Sequence, residues 1–173
     1  MSIQIRKASA DDFELILTEI DKNFIYEERR EREKEKELLL LNAIDAYVFY
    51  KDDNAVGFIN AWNFSDFVFF EHFVIFEKYR NCGYGTEAVL LLKNRFKRMI
   101  LEVEPGENEL KRRRIEFYKR AGFVENDFDY IQPSYHGGDG IILRLLSYPE
   151  RIFDRKETVS AIYETVYNVH SDL

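Results

Sequence analysis

The sequence has few of the residues that form disulfides or bind transition metals. It contains one cysteine, Cys82, and three histidines among 173 residues. A single cysteine cannot form a disulfide within the chain, so nothing in the sequence indicates an oxidising compartment. The cysteine and the histidines are scattered, without the short spacing of a zinc site, and we therefore predict no bound metal.

Long apolar runs and an excess of basic residues are also lacking. No apolar run approaches the roughly 18 residues that a membrane helix needs, and the N-terminal residues lack the apolar stretch of a signal peptide. The 32 acidic residues outnumber the 25 lysines and arginines, giving a net charge of −7. An acidic balance argues against a phosphate-backbone partner. We expect a cytoplasmic protein that binds neither membranes nor nucleic acid.

The chain does have the composition of a globular domain. Of its residues, 46% are hydrophobic and 16% are aromatic, which is enough to bury a core. The sequence shows no internal repeat, low-complexity segment or linker. Segments with strand and helix patterns alternate along the chain, which predicts a single α/β domain with a mixed sheet.

Two helices are predicted near the N-terminus. The first ends near Asn23, and its buried face comprises Phe13, Ile16, Leu17 and Ile20. The next segment, EERREREKEKELLLLNAI, is dense in charge and then abruptly apolar. We interpret it as a second helix with a solvated first half and a buried end at Leu38 to Leu41. The alternative is that Glu27, Glu28 or Arg30 faces a substrate.

A hairpin and a buried strand are predicted next. Aromatic and β-branched residues flank turn-forming residues at Asp52 to Asn54, which is typical of a hairpin. The segment FVFFEHFVIF, residues 67 to 76, is too continuously apolar for a half-exposed strand. It predicts a strand buried on both faces, interrupted by Glu71 and His72.

Two glycines precede a predicted helix over Thr86 to Arg98. A helix N-terminus carries unpaired amides and partial positive charge, and a glycine-rich turn before it lets an anion approach those amides. Gly83 and Gly85 supply such a turn, and Arg80 adds a charge-assisted donor. The segment therefore predicts a site for a pyrophosphate group.

Two classes of cofactor carry a pyrophosphate. Gly83, Gly85 and Ala88 fit the dinucleotide fingerprint G-x-G-x-x-A, and Glu102 or Glu104 is near the position of its ribose-binding acid. Against this class, the polar segment EKYRN separates the buried strand from the first glycine. The other class is coenzyme A. A phosphate-binding P-loop is excluded because no G-K-[ST] follows the glycines.

The sequence resembles the general N-acetyltransferase (GNAT) superfamily over residues 1 to 147. The loop from Arg80 to Gly85, RNCGYG, fits that family's (R/Q)-x-x-G-x-(G/A) motif. The downstream segment IEFYKRAGF, residues 115 to 123, is similar to the family's tyrosine-bearing helix that ends in Gly-Phe. The resemblance implies a GNAT-like fold and an acetyl-CoA-dependent N-acetyltransferase that acts on an amine-bearing small molecule or peptide.

The resemblance also implies which residues hold acetyl-CoA. The backbone of the buried strand would pair with the pantetheine arm, and the loop would hold the pyrophosphate. The strand residues are Phe73, Val74 and Ile75, and the loop residues are Arg80, Asn81, Cys82, Gly83, Tyr84, Gly85 and Thr86. Lys111 and Arg114 replace an asparagine and an alanine found in many members, so a contact to the cofactor from that turn is in doubt.

Two residues are predicted to be catalytic. Tyr118 corresponds to the family tyrosine that protonates the departing CoA thiolate. Glu71 is our candidate base, because an alternating strand places it beside Phe69 and Phe73, where burial favours a more basic carboxylate. The structural alternative is that Glu71 pairs with an arginine. The same alternation predicts that His72 points to the other face.

The last segment lies outside the resemblance. Residues 148 to 173 are predicted to contain an amphipathic helix over Ile152 to Val169, packed on the domain or on the partner in a homodimer. Two functions besides acetyl transfer are also compatible with the sequence. One is a dinucleotide-binding oxidoreductase, and the other is an inactive CoA-binding sensor that keeps the loop without the chemistry.

Overall fold

The computed structural model describes residues 2–170. The chain divides into two compact units, the first ending at Lys97 and the second beginning at Arg98. Each unit combines strands with helices, so the predicted α/β class is confirmed. The extent of the predicted domain, residues 1 to 147, stays a prediction. Within the described residues, each helix is too short or too polar to cross a membrane.

The first unit is built on four antiparallel strands that pair in chain order. The strands are β1 (Gln4–Lys7), β2 (Asp45–Lys51), β3 (Asn54–Asn63) and β4 (Val68–Ile75). The helices are α1 (Ala10–Asn23), α2 (Arg32–Leu40) and α3 (Tyr84–Arg95), with a 3-10 turn at Tyr26–Glu28. The core of this unit lies between the helices and the buried side chains of β2, β3 and β4.

Local sequence signals explain the start of α1 and the β2–β3 turn. The Asp12 carboxylate accepts a hydrogen bond from the Ser9 backbone N–H at 2.7 Å, which satisfies a backbone donor at the helix start. Asp52 and Asp53 both have positive φ, +46° and +63°. Positive φ at both central residues matches the right-handed twist of a hairpin. The predicted hairpin is confirmed.

The end of α2 differs from the prediction. Leu39 is 1% exposed, but Leu40 and Leu41 are 56% and 69% exposed. Four consecutive leucines cannot all face one side, because a helix turns about 100° per residue. The predicted buried end from Leu38 to Leu41 is therefore wrong for Leu40 and Leu41.

The second unit is built around one long strand that pairs antiparallel with three others. The strands are β5 (Met99–Val103), β6 (Val124–Glu125), β7 (Tyr130–Gln132) and the shared strand β8 (Ile141–Tyr148). Helix α4 (Glu109–Arg120) has Ala121 as its C-cap and is followed by Gly122, which has a φ of +91°. The Phe123 N–H donates to the Tyr118 carbonyl at 3.0 Å, which closes the helix at the Gly-Phe pair.

The last helix is shorter than predicted. Helix α5 spans Arg155–Ile162 and continues as a π-helix over Tyr163–Tyr167. The Tyr163 hydroxyl donates to the Ile131 carbonyl at 2.5 Å, and the Tyr167 hydroxyl donates to both Glu102 carboxylate oxygens at 2.8 Å. The segment thus packs on its own unit. Residues 171–173 of the predicted C-terminal segment lie outside the described residues.

Candidate active site

The N-terminus of α3 has the geometry of an anion site. Gly83 precedes the helix with a φ of +84°, and a Cβ added there would meet nothing within 4 Å. The approach to the first turn is therefore open. The Tyr84 and Gly85 amides belong to that turn, in which helix geometry supplies no intrahelical acceptor. The Thr86 N–H differs, because it donates to the Gly83 carbonyl at 3.0 Å.

Arg80 joins the glycine loop to α1. Its Nε donates to the Ile75 carbonyl at 3.1 Å, and its Nη2 donates to the Asn23 Oδ1 at 2.6 Å. Arg80 and Lys78 also line a cavity of about 760 Å³ between the C-terminal half of α1 and the end of β4. These contacts fix the guanidinium beside the loop, where it adds positive charge to that of the helix terminus.

A β-bulge interrupts β4 at the predicted site. Val74 pairs with Phe58 and Glu71 pairs with Asn60, so two residues of β4 oppose one of β3. His72, inside the bulge, has a φ of +53°. Bulges are frequent beside active sites, where they re-aim a side chain.

The bulge brings Glu71 and His72 together. Ligand-type atoms of Glu35, Glu71 and His72 all lie within 4.8 Å of one another. The predicted placement of Glu71 and His72 on opposite faces is therefore wrong, because simple alternation fails where an extra residue enters a strand.

Glu71 is a buried carboxylate held by charged and polar partners. It is 6% exposed. Both of its carboxylate oxygens accept from Arg30 Nη1 at 3.0 Å, and one accepts from Trp62 Nε1 at 2.8 Å. The surroundings are thus not the purely apolar ones that the sequence suggests, and the pairing with an arginine that the sequence left open is present. The charged partners favour the ionised carboxylate.

Arg30 and Glu35 complete a buried charged cluster with Glu71 and His72. Arg30 Nη1 also contacts Glu35 Oε2 at 3.1 Å, and Asn60 Nδ2 donates to Glu35 Oε1 at 2.9 Å. The sequence pattern does not single out Glu35, because this residue lies in a charge-dense segment. A usable signal was its position one helical turn before the buried Leu39, since residues i and i+4 share a helix face.

The spacing of the two carboxylates and His72 also suits a metal ion. Arg30 Nη1, however, already lies 3.0 to 3.1 Å from oxygens of both carboxylates. The guanidinium is the cation on these oxygens, so we do not assign the three side chains as metal ligands.

The predicted proton donor lies in the second unit. Tyr118 is on α4, is 7% exposed, and packs edge-on against Phe123 with ring centroids 5.5 Å apart. Burial raises the pKa of the Tyr118 phenol, while the positive charge of Arg114 acts in the opposite direction. The phenol is therefore protonated at neutral pH, as a proton donor must be.

The acids considered for a dinucleotide ribose are engaged in other contacts. Glu104 pairs with Lys111 at 3.1 Å and with Arg114 at 2.9 Å. Glu102 accepts hydrogen bonds from the hydroxyls of Tyr130 and Tyr167. Lys111 and Arg114, whose contact to a cofactor was in doubt, have the Glu104 carboxylate as a partner.

Residues 7–123 match the sequence model of the Acetyltransferase (GNAT) family. The chain therefore belongs to the GNAT acetyltransferase family. This confirms the resemblance carried by the RNCGYG loop and the IEFYKRAGF helix, and with it the predicted fold and enzyme class.

Similar proteins agree with that assignment. A solved GNAT-family structure from Bacteroides thetaiotaomicron is 29% identical, with a TM-score of 0.90 over 96% of this chain and 99% of the other. YjbC of Bacillus subtilis (strain 168), assigned to the acetyltransferases, is 24% identical over 72% of this chain and 66% of its own length. The spermidine/spermine N-acetyltransferase SpeG of Vibrio cholerae shares the fold, with a TM-score of 0.63 over 84% of this chain and 91% of the other at 14% identity.

Proposed function

We propose that this protein transfers an acetyl group from acetyl-CoA to a primary amine by direct attack. The observation that carries the proposal is the open N-terminus of α3 behind Gly83, within the R-x-x-G-x-G loop of a GNAT family member. Backbone amides approached over a glycine are suited to the pyrophosphate of coenzyme A. Membership of the GNAT family favours coenzyme A over a dinucleotide as the ligand of this loop.

The residues proposed to hold acetyl-CoA lie on β4 and in the loop that follows. The backbone of Phe73, Val74 and Ile75 would pair with the pantetheine arm as an added strand does. The loop from Arg80 to Thr86 would hold the pyrophosphate, with its Tyr84 and Gly85 amides nearest the open turn. Bound acetyl-CoA supplies the thioester that the amine attacks.

Glu71 is proposed to take up the proton that the amine loses. Attack requires a neutral amine, since an ammonium has no lone pair. Once the bond to carbon has formed, the nitrogen is far more acidic, and even a weakly basic carboxylate can take its proton, directly or through water. The contacts from Arg30 and Trp62 hold Glu71 in the ionised form that this role requires.

Tyr118 is proposed to donate a proton to the departing thiolate. Burial raises its pKa, which keeps the phenol protonated over the working pH range. An intact tyrosine at this position favours an enzyme over an inactive CoA-binding sensor.

The acceptor is proposed to be a cationic amine. The chain carries a net charge of −7, which favours the approach of a polyamine, an aminoglycoside or a basic peptide. SpeG, which shares the fold, is by its name a spermidine/spermine acetyltransferase. Polyamines therefore come first in an acceptor screen. Homodimer formation and a cytoplasmic location stay predictions from the sequence.

The test is a screen of amines for release of CoA from acetyl-CoA, followed by Tyr118→Phe on the best acceptor. The variant keeps the ring and loses only the hydroxyl, so we expect kcat to fall by about 10²- to 10⁴-fold, with CoA affinity close to wild type. Tyr163→Phe is the matched control, because its hydroxyl donates to the Ile131 carbonyl, and its kcat should be retained. Full turnover by Tyr118→Phe would remove the proton-donor role.

A further inference from the structure

His72 is the member of the buried cluster whose hydrogen bonding is incomplete. It is 7% exposed, and its Nδ1 has no hydrogen-bond partner. Its ring packs against Phe24, with centroids 4.6 Å apart. The charged groups facing it are Glu35 on α2, Glu71 beside it on β4, and Arg30 on the segment between α1 and α2. A buried polar atom left unpaired is costly, so its protonation state needs an explanation.

The surroundings of the ring indicate a proton on each nitrogen. Nε2 lies 3.3 Å from the Glu28 carbonyl oxygen, which can only accept a hydrogen bond. Nδ1 lies 3.7 Å from the Glu35 Oε1. A bare Nδ1 would turn its lone pair toward a carboxylate oxygen, whereas a protonated Nδ1 would be attracted to it. The doubly protonated imidazolium is therefore the form that fits both neighbours.

The charge balance of the cluster also favours the doubly protonated imidazolium of His72. Glu35 and Glu71 are two buried carboxylates, and Arg30 contacts both through the same Nη1 atom. One guanidinium cannot neutralise two buried anions, and a second cation compensates the remaining charge. Burial lowers the pKa of His72, but the Glu71 and Glu35 charges raise it more than Arg30 and burial lower it, so the net shift is upward.

We propose that His72 is a positioning residue for Glu71: a buried imidazolium that provides the second positive charge of the cluster and so keeps Glu71 ionised. The functional half of this proposal rests on the proposed role of Glu71 as the base. If His72 lost its charge, the two carboxylates would keep Arg30 but lose the positive charge of the imidazolium, and one of them would bind a proton more readily. The β4 bulge places the imidazole beside Glu35 for this purpose.

The charge of His72 is measured on the free protein, without substrate. Nitrogen-15 labelling of the three histidines reports each ring nitrogen by NMR, and His136→Asn and His170→Asn assign the other two signals. We expect both nitrogens of His72 to be protonated at pH 7. We expect Glu35→Gln, which removes the charge facing Nδ1, to lower the pH at which His72 loses its proton. A bare Nδ1 at pH 7 would overturn the proposal.

The effect on Glu71 is measured as the pH profile of kcat at saturating concentrations of the acceptor found in the screen, because kcat/KM would also follow the ionisation of the free amine. His72→Asn removes the charge, and asparagine tolerates the positive φ at this position. A nearby positive charge lowers the pKa of a carboxyl group by about 1 to 3 units. Removing the charge of His72 should therefore move the acid limb up by about one pH unit or more, with the rate at high pH largely retained. A loss that is constant across pH would mean that His72 is only structural and would overturn the positioning role. A protein that acetylates no amine in the screen would refute the proposed function and the positioning role with it, while the NMR titration would still decide the charge of His72.

Discussion

At the scale of single residues, Gly83 has a left-handed backbone conformation and belongs to the proposed anion site. Its φ of +84° would strain other residues, yet a Cβ added there would meet nothing within 4 Å. A side chain at this position therefore costs about 1 to 2 kcal/mol because of the left-handed backbone, but its Cβ meets no neighbouring residue. Charge and sterics can thus be separated by choosing two side chains of equal size.

Gly83→Asp and Gly83→Asn form such a pair. Both residues tolerate a left-handed backbone better than most others, and only aspartate places a negative charge at the helix terminus. Because that charge repels a pyrophosphate, we expect Gly83→Asp to weaken CoA binding about 10- to 100-fold more than Gly83→Asn, measured by isothermal titration calorimetry. Equal affinities for the two variants would place the anion away from this loop.

Some residue-level features of the candidate site can be predicted from the sequence, and others cannot. The glycine turn before α3 follows from adjacent residues, so the loop could be identified from the sequence. The bulge at His72 could not, because it depends on how β4 aligns with β3, and register is a property of two strands. The contact of Arg30 with Glu71 joins residues 41 positions apart, and no local pattern contains that distance.

At the scale of elements, α2 shows that a high density of charged residues does not identify the exposed face of a helix. Dense charge predicts a solvated helix face, yet Glu35 is 2% exposed and lies on the face of Leu39. That helix face is buried because Asn60 on β3, distant in sequence, and Arg30, in the segment just before the helix, satisfy the carboxylate. Burial of this kind is decided by tertiary contacts rather than by local composition.

The two adjacent leucines of α2 test that orientation. Leu39→Ala removes a side chain that is 1% exposed, and Leu40→Ala removes one that is 56% exposed. We expect Leu39→Ala to lower the free energy of unfolding by about 2 to 5 kcal/mol, and Leu40→Ala to change it by about 0.5 kcal/mol or less. Urea denaturation measures both. A larger loss for Leu40→Ala would mean that α2 presents its other face to the sheet.

At the scale of the whole molecule, fold and enzyme family could be predicted from the sequence because they depend on two local motifs and the order of elements. The acceptor could not, because specificity in a fold that serves many reactions is set by variable segments. The most general test of the proposal therefore asks which cofactor stabilises the folded chain. It requires no knowledge of the acceptor.

A ligand that binds only the folded state stabilises it by about 2.7 kcal/mol at 100 times its Kd. For a chain of 173 residues, each kcal/mol raises Tm by about 2 to 4 °C. Saturating CoA or acetyl-CoA should therefore raise Tm by about 5 to 10 °C in a thermal melt, whereas NAD and FAD at the same concentrations should leave it unchanged. Gly83→Asp is the control, because its added charge should abolish most of the CoA shift while leaving a folded protein to melt. A shift with NAD and none with CoA would show that the loop behind Gly83 takes a dinucleotide, and the proposed acetyl transfer would then be wrong.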